Sequence, residues 1–210
     1  MAYISFENVT KGFSGRKVLE NCSFSIEAGE IVGFLGRNGS GKSVIFKLLC
    51  GLMRPDSGRI ALEGRDLTAE GAFLPGAGVL IESPGFLPGY SAMKNLSVLN
   101  ALRPQPLPRV ALEKALRDVG LDPGDRRPVR QYSLGMRQKL GIAQALAGEP
   151  PILLLDEPTA NLDQESAEAL RALLRQRAAE GATVLVATHL KEDAQLLCTR
   201  ILRVENGGAA

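Results

Sequence analysis

Eight consecutive residues, Gly36-Arg37-Asn38-Gly39-Ser40-Gly41-Lys42-Ser43, constrain this chain more than any other stretch. They satisfy G-x-x-x-x-G-K-[ST] at every fixed position, the pattern of a phosphate-binding P-loop. The flanks agree with that reading. Glu30-Ile31-Val32-Gly33-Phe34-Leu35 has the character of a short buried strand, and Val44-Ile45-Phe46-Lys47-Leu48-Leu49 that of an apolar helix. A strand, a loop with three glycines and a helix let successive backbone N–H groups converge on a polyphosphate, at the positive end of the helix dipole. In such a loop Lys42 meets the β- and γ-phosphates and the Ser43 hydroxyl a Mg²⁺ ion. The plain alternative is a glycine-rich turn with a surface lysine, and a full match in this setting leaves it little room.

A chain of 210 residues suffices for one domain with a sizeable core, or one core carrying a subdomain. Apolar and charged contents of 45% and 23% are those of a soluble globular protein. The net charge of +2 is too small to suggest a nucleic-acid partner or a membrane-surface footprint. No apolar run approaches the roughly 18 residues of a membrane-spanning helix. The start, Met1-Ala2-Tyr3-Ile4-Ser5-Phe6-Glu7, lacks the basic and apolar regions of a signal peptide. Cys22, Cys50 and Cys198 are odd in number and far apart, without a C-x-x-C pair. That suits reduced thiols in cytosol, argues against a zinc or disulfide framework, and leaves each as a small core residue.

Alternation between turn signals predicts strands over 3–9 and 21–26, with Phe13 on a glycine-flanked loop between them. After the P-loop helix, Cys50-Gly51 is a helix stop. Pro55-Asp56-Ser57-Gly58 is then a turn into a strand over 59–62, and 78–81 is a further apolar run. From there the composition turns helical. Segments 91–102, capped by Ser91, and 110–119, closed by Gly120, have helical spacing and are separated by Pro104, Pro106 and Pro108. Residues 122–128 form a loop, and a helix runs over 139–147, so that about 86–147 makes a helical insert. The last third alternates strands (152–155, 183–187, 201–204) with helices (164–179, 190–197), the rhythm of a parallel sheet covered by helices. Residues 207–210 are expected to fray.

A second chemical signal is Ile152-Leu153-Leu154-Leu155-Asp156-Glu157. Four apolar residues make a strand buried on both faces, with two acids at its C-terminal tip, where α/β sheets bind ligands. Asp156 can hold a phosphate-bridging Mg²⁺, and Glu157 can polarise a water for attack on the γ-phosphorus. Behind a full P-loop this is a Walker B pair. Twenty residues upstream of that strand comes Tyr132-Ser133-Leu134-Gly135-Met136-Arg137-Gln138. Ser133 is a good N-cap, and Gly135 permits close backbone approach to an anion.

P-loop, Ser133–Gly135 element, Walker B, Asp163 and His189, in this order and over essentially the whole chain, resemble the ATP-binding-cassette (ABC) ATPases. The resemblance implies an α/β fold with a P-loop NTPase core on a mostly parallel sheet. An N-terminal antiparallel β subdomain and an inserted α-helical subdomain complete it, in one domain over 1–210. Core and β subdomain would take 1–85 and 148–210, and the helical signature subdomain about 86–147. Ser133 and Gly135 would belong to the signature motif, which contacts the γ-phosphate of ATP bound to a second, head-to-tail copy. Ala160-Asn161-Leu162-Asp163 resembles the D-loop at that interface. His189, the sole histidine, looks like the switch histidine at the γ-phosphate. Phe13 resembles the aromatic that stacks on adenine, with Val18 nearby.

Departures from the family pattern narrow the resemblance. The common signature L-S-G-G-Q is here Tyr132-Ser133-Leu134-Gly135-Met136, and the Q-loop glutamine is Glu82, whose carboxylate can still ligate Mg²⁺. With Ile81-Glu82-Ser83-Pro84-Gly85-Phe86, these features look like exporter ATPases of the bacitracin- and lantibiotic-resistance type. That implies ATP and Mg²⁺ as cofactors, and a second ATPase subunit, identical or paralogous. It also implies a separately encoded integral-membrane permease, through which this chain would sit peripherally at the cytoplasmic face of the membrane. Many such ATPases carry a C-terminal extension that this chain is expected to lack. A soluble ABC-type ATPase acting on ribosomes or DNA is the alternative. Such relatives usually carry two cassettes or a coiled-coil insertion and basic surfaces, whereas this chain has one cassette, no heptad run and nearly balanced charge.

Overall fold

The computed structural model describes residues 2–68, 72–82, 85–205 and 207–209. Ser83 and Pro84 of the stretch compared above with exporter ATPases lie outside those residues, as do Met1 and Ala210. In chain order the elements begin with β1 (Ile4–Phe13), β2 (Arg16–Ile26), β3 (Ile31–Leu35), α1 (Lys42–Leu49), β4 (Ser57–Leu62), β5 (Arg65–Asp66) and β6 (Ala77–Leu80). The helices α2 (Ala92–Asn100), α3 (Arg109–Asp118) and α4 (Leu134–Leu146) follow. The chain continues through β7 (Ile152–Asp156), α5 (Gln164–Ala179), β8 (Thr183–Thr188), α6 (Lys191–Leu197), β9 (Arg200–Glu205) and β10 (Gly208–Ala209).

Phe13 does not sit on a loop. It ends β1, and Ser14 and Gly15, both left-handed (φ 48° and 81°), make the two-residue primed turn that starts β2 at Arg16. β1 pairs antiparallel with β2 on one edge and β4 on the other, giving a sheet of order β2-β1-β4-β5. The second sheet has the order β10-β9-β3-β8-β7-β6, parallel from β9 to β6. Its central strands β7 and β8 are apolar on both faces, as a sheet covered on both sides requires. An aromatic train joins the two sheets. Phe6 stacks on Phe24 at 4.4 Å between centroids, Phe24 meets the edge of Phe34 at 5.4 Å, and Phe34 meets Phe46 at 5.7 Å. β1, β2, β3 and α1 are thereby packed into one core, which sets the angle at which α1 leaves the P-loop.

Three apolar clusters underlie this arrangement. One fills the space between the sheets around α1, and a second lies on the opposite face of the parallel sheet under α5 and α6. The third joins α2, α3 and α4. α4 contributes to two of them: Ile142, Ala145 and Leu146 face the sheet, while Leu140 and Ala143, with Ala147 just past the helix end, face the other helices. It is also longer than expected, starting at Leu134, because the Ser133 hydroxyl accepts from the Met136 amide and caps the helix there. The expected fray at the C-terminal end is overturned as well. Gly208 and Ala209 pair antiparallel with β9, Ala209 is buried, and the Gly207 carbonyl accepts from the Glu20 amide on β2. Cys22 is buried, and Cys50 and Cys198 are half-buried. Burial pushes the latter two thiols up to about 11 and about 12, so they are protonated packing groups.

Candidate functional site

Because β3, β7 and β8 run parallel, their C-terminal ends open on one edge of the sheet. The P-loop leaves β3 there. Its tightness is dictated at Gly36, where a Cβ would fall 2.5 Å from both Ser40 Oγ and the Val204 carbonyl oxygen. Gly41, at φ 111°, occupies the N-cap of α1 and offers the first-turn amides no side-chain acceptor. Lys42 is buried at 5% exposure, and its ammonium donates to the Gly36 and Arg37 carbonyls at 2.8 and 3.2 Å.

The Ser43 hydroxyl donates to Asp156 Oδ2 at 2.7 Å, joining the P-loop helix to the tip of β7. Burial pushes the Asp156 carboxyl above its ordinary range. The Ser43 hydrogen bond and nearby Lys42 pull it down, while the negative charges of Glu157 and Glu82 add to the rise. Glu157 is left-handed (φ 47°), a conformation that costs a non-glycine residue about 1–3 kcal/mol and accumulates at working sites. Its amide donates to the Ala187 carbonyl at 2.8 Å. Its carboxylate lies 2.8 Å from His189 Nδ1, accepts from the Thr188 hydroxyl at 3.2 Å, and is 3.9 Å from Lys42 Nζ. A carboxylate only accepts, so Nδ1 carries the hydrogen in this contact.

Lys42, Ser43, Asp156 and Glu157 border a cavity of about 650 Å³; Gly36, Arg37, Ser40 and His189 are not among its lining residues, and His189 is joined to it through Glu157. Of the residues singled out in the sequence, Phe13, Val18, Asn38, Gly39, Gly41, Lys42, Ser43, Glu82, Asp156 and Glu157 line it. Phe13, 42% exposed, stands at the hairpin end, and Lys11 Nζ lies 5.6 Å from its ring. Glu82 is exposed, left-handed (φ 58°) and ion-paired with Lys47 on α1. Ser133, Gly135 and Asp163 do not reach this cavity. They line a separate hollow of about 460 Å³, and Asp163 caps α5 by accepting from the Ser166 amide at 2.8 Å. Gly135 is required there, since a Cβ would lie 2.7 Å from the Asn161 carbonyl oxygen.

Gln138 and Asn161, quoted above only within the signature and D-loop stretches and given no role of their own, are also wall residues. From α4, the Gln138 side-chain amide donates to the carbonyls of Glu157 and Pro158 at 3.0 and 3.2 Å. No local signal marks that contact, because its acceptors lie 19 and 20 residues further along. Asn161 borders both the cavity and the hollow, and takes φ 62°. The asparagine itself, tolerant of that conformation, was the available clue.

The family description "ABC transporter" matches residues 19–160. The chain belongs to the ABC transporter family. A lantibiotic transport ATP-binding protein of Streptococcus pyogenes is 35% identical over 194 residues, covering 92% of this chain and 83% of its relative. A Nod factor export ATP-binding protein I of Burkholderia lata is 35% identical over 214 residues, covering 99% and 69%. A bacterial ABC transporter cassette solved as a dimer superposes with a TM-score of 0.88 at 26% identity, over 98% of this chain and 96% of that one. The same cassette in a post-hydrolysis state bound to ADP and Pi gives 0.87. This ABC chain is accordingly an ATP-binding transporter subunit and an ATPase, with the ABC cassette fold. Among the described residues, no helix is long and apolar enough to cross a membrane.

Proposed function

We propose that this chain powers an exporter as one of two ATPase subunits, identical or paralogous, that close head-to-tail on two ATP molecules. Its place would be the cytoplasmic face of the membrane, on a separately encoded integral-membrane permease. The observation that carries this reading is the separation of the two concavities. Lys42, Ser43, Asp156 and Glu157 share one cavity, whereas Ser133, Gly135 and Asp163 line another. A second copy presenting its Ser133–Gly135 helix end would supply what the first cavity lacks. The export name borne by the Burkholderia relative supports the direction of transport.

In this reading, residues 1–85 and 148–210 form the core and β subdomain. The helical unit of about 86–147 passes motion to the permease. The amides of Gly36, Arg37, Asn38, Gly39, Ser40 and Gly41, with Lys42, stabilise charge on the transferred phosphoryl group. Glu157 orients the attacking water, His189 contacts the γ-phosphate, and Phe13 with Val18 receives the adenine. Hard oxygens 2.7 Å apart on Ser43 and Asp156 suit Mg²⁺, with Glu82 at the rim. Among the described residues no group of three or more His, Cys, Asp or Glu is placed to hold a metal. Ser43 and Asp156 would hold Mg²⁺, and the ion would offset negative charge on the phosphates. Replacing Glu157 by Gln should block hydrolysis and leave an ATP-bound dimer. Sedimentation of that variant as a monomer in saturating ATP would overturn the two-copy reading.

A further inference from the structure

Asp193, in the first turn of α6, has both carboxylate oxygens engaged. Oδ2 accepts from the Thr159 hydroxyl at 2.6 Å, and Oδ1 from Arg171 Nη1 at 2.9 Å. The ion pair is nearly withdrawn from water, with side-chain exposures of 17% for Asp193 and 10% for Arg171. An apolar pair of similar volume would often serve the packing at such a site as well as two charges do. The positions of the three residues suggest what the charges fix. Thr159 stands immediately before the 160–163 loop, and Arg171 lies two turns into the helix after it. Asp193 thus brackets the loop from both sides.

α6 begins two residues after His189. On the cavity side, His189 and Thr188 are bound to Glu157; behind it, the first turn of α6 is bound to Thr159. The β8–α6 elbow is therefore fastened to the β7–α5 segment at two points, with the 160–163 loop running on from the second. We infer that Asp193 is a positioning residue that couples His189 to this loop. A shift of the imidazole carries the first turn of α6 with it, and Asp193 transmits the shift to Thr159 and Arg171. The two-copy reading above supplies only what the loop then meets; the coupling lies within one chain.

His189 is the only histidine, so its imidazole gives a single, unambiguous set of NMR resonances. Thr159→Val removes the hydroxyl while keeping the side-chain shape. It is expected to displace the His189 Cε1–H resonance of the nucleotide-free protein. The displacement should vanish when Asp193→Leu and Arg171→Met are made together, a pair that leaves no buried charge without its partner. Asp193→Ala with Arg171→Gln is the second background, should the apolar pair fail to fold. Thr159→Val should also lower kcat roughly tenfold, within the ordinary range of coupling energies, with KM for ATP unchanged. A merely structural role would lower the melting temperature and leave the resonance in place. An unmoved resonance in Thr159→Val, or an equal displacement with Asp193 replaced, overturns the proposal. Should the Glu157→Gln protein stay monomeric in ATP, the two-copy reading falls, and the resonance still decides this one.

Discussion

Asp156 is unfavourable for folding when ionised, at the position to which the proposed function assigns Mg²⁺. Burial holds its carboxyl above the ordinary value of 3.8, so the folded protein binds that proton more tightly than the unfolded chain. The resulting stabilisation is complete below about 3.8 and is lost as pH rises through the raised value, leaving an ionised Asp156 as a cost at neutral pH. Asp156→Asn keeps an acceptor for Ser43 and removes that cost. Its nucleotide-free form should melt higher than the parent at pH 7, with a flatter dependence of stability on pH in the acid range. It should also lose the extra stabilisation that Mg²⁺ adds to ATP. Thermal unfolding across a pH series, with and without Mg-ATP, checks all three, and a lower melting temperature at pH 7 would contradict the burial argument.

Among the elements, β6 and α4 approach each other closely at Gly78. A Cβ on Gly78 would lie 1.9 Å from the Ala145 carbonyl oxygen and 2.7 Å from Pro150 Cγ. The nearest obstacle is helix backbone, which no rotamer change can relieve. Gly78→Ala should therefore cost about 1–3 kcal/mol in denaturant unfolding. At Gly85 a Cβ meets nothing within 4 Å, so Gly85→Ala should stay within about 0.5 kcal/mol. The same scale shows what could be read from sequence. α5 was expected over 164–179 and is found there, because Asp163 caps its start and Gly181 follows its end. β5 and β10, two residues each, carry no periodicity to detect. The sequence places the start of α4 at Lys139, although Ser133 already marks a cap ahead of it. The P-loop and acidic strand were legible because their chemistry is contiguous. Gln138, Thr188 and the Asp193 bracket act across 19 to 34 residues and emerge only when β7, β8 and α4 converge.

For the whole molecule, the proposed role requires a partner that lies within the membrane. Affinity purification from native cells in mild detergent should recover an integral-membrane protein in near-equal amount, identified by mass spectrometry. Ribosomal proteins or DNA-repair factors, with no membrane partner, would instead favour the soluble ATPase considered from the sequence. The position of α4 bears on how the molecule holds together. One of its faces completes the cluster under the sheet and the other completes the cluster of the helices. Melting either cluster would strip a face from the helix on which the other depends. A chain whose helices look like an insertion therefore has no clean seam along which to come apart, and its two parts lose their structure cooperatively.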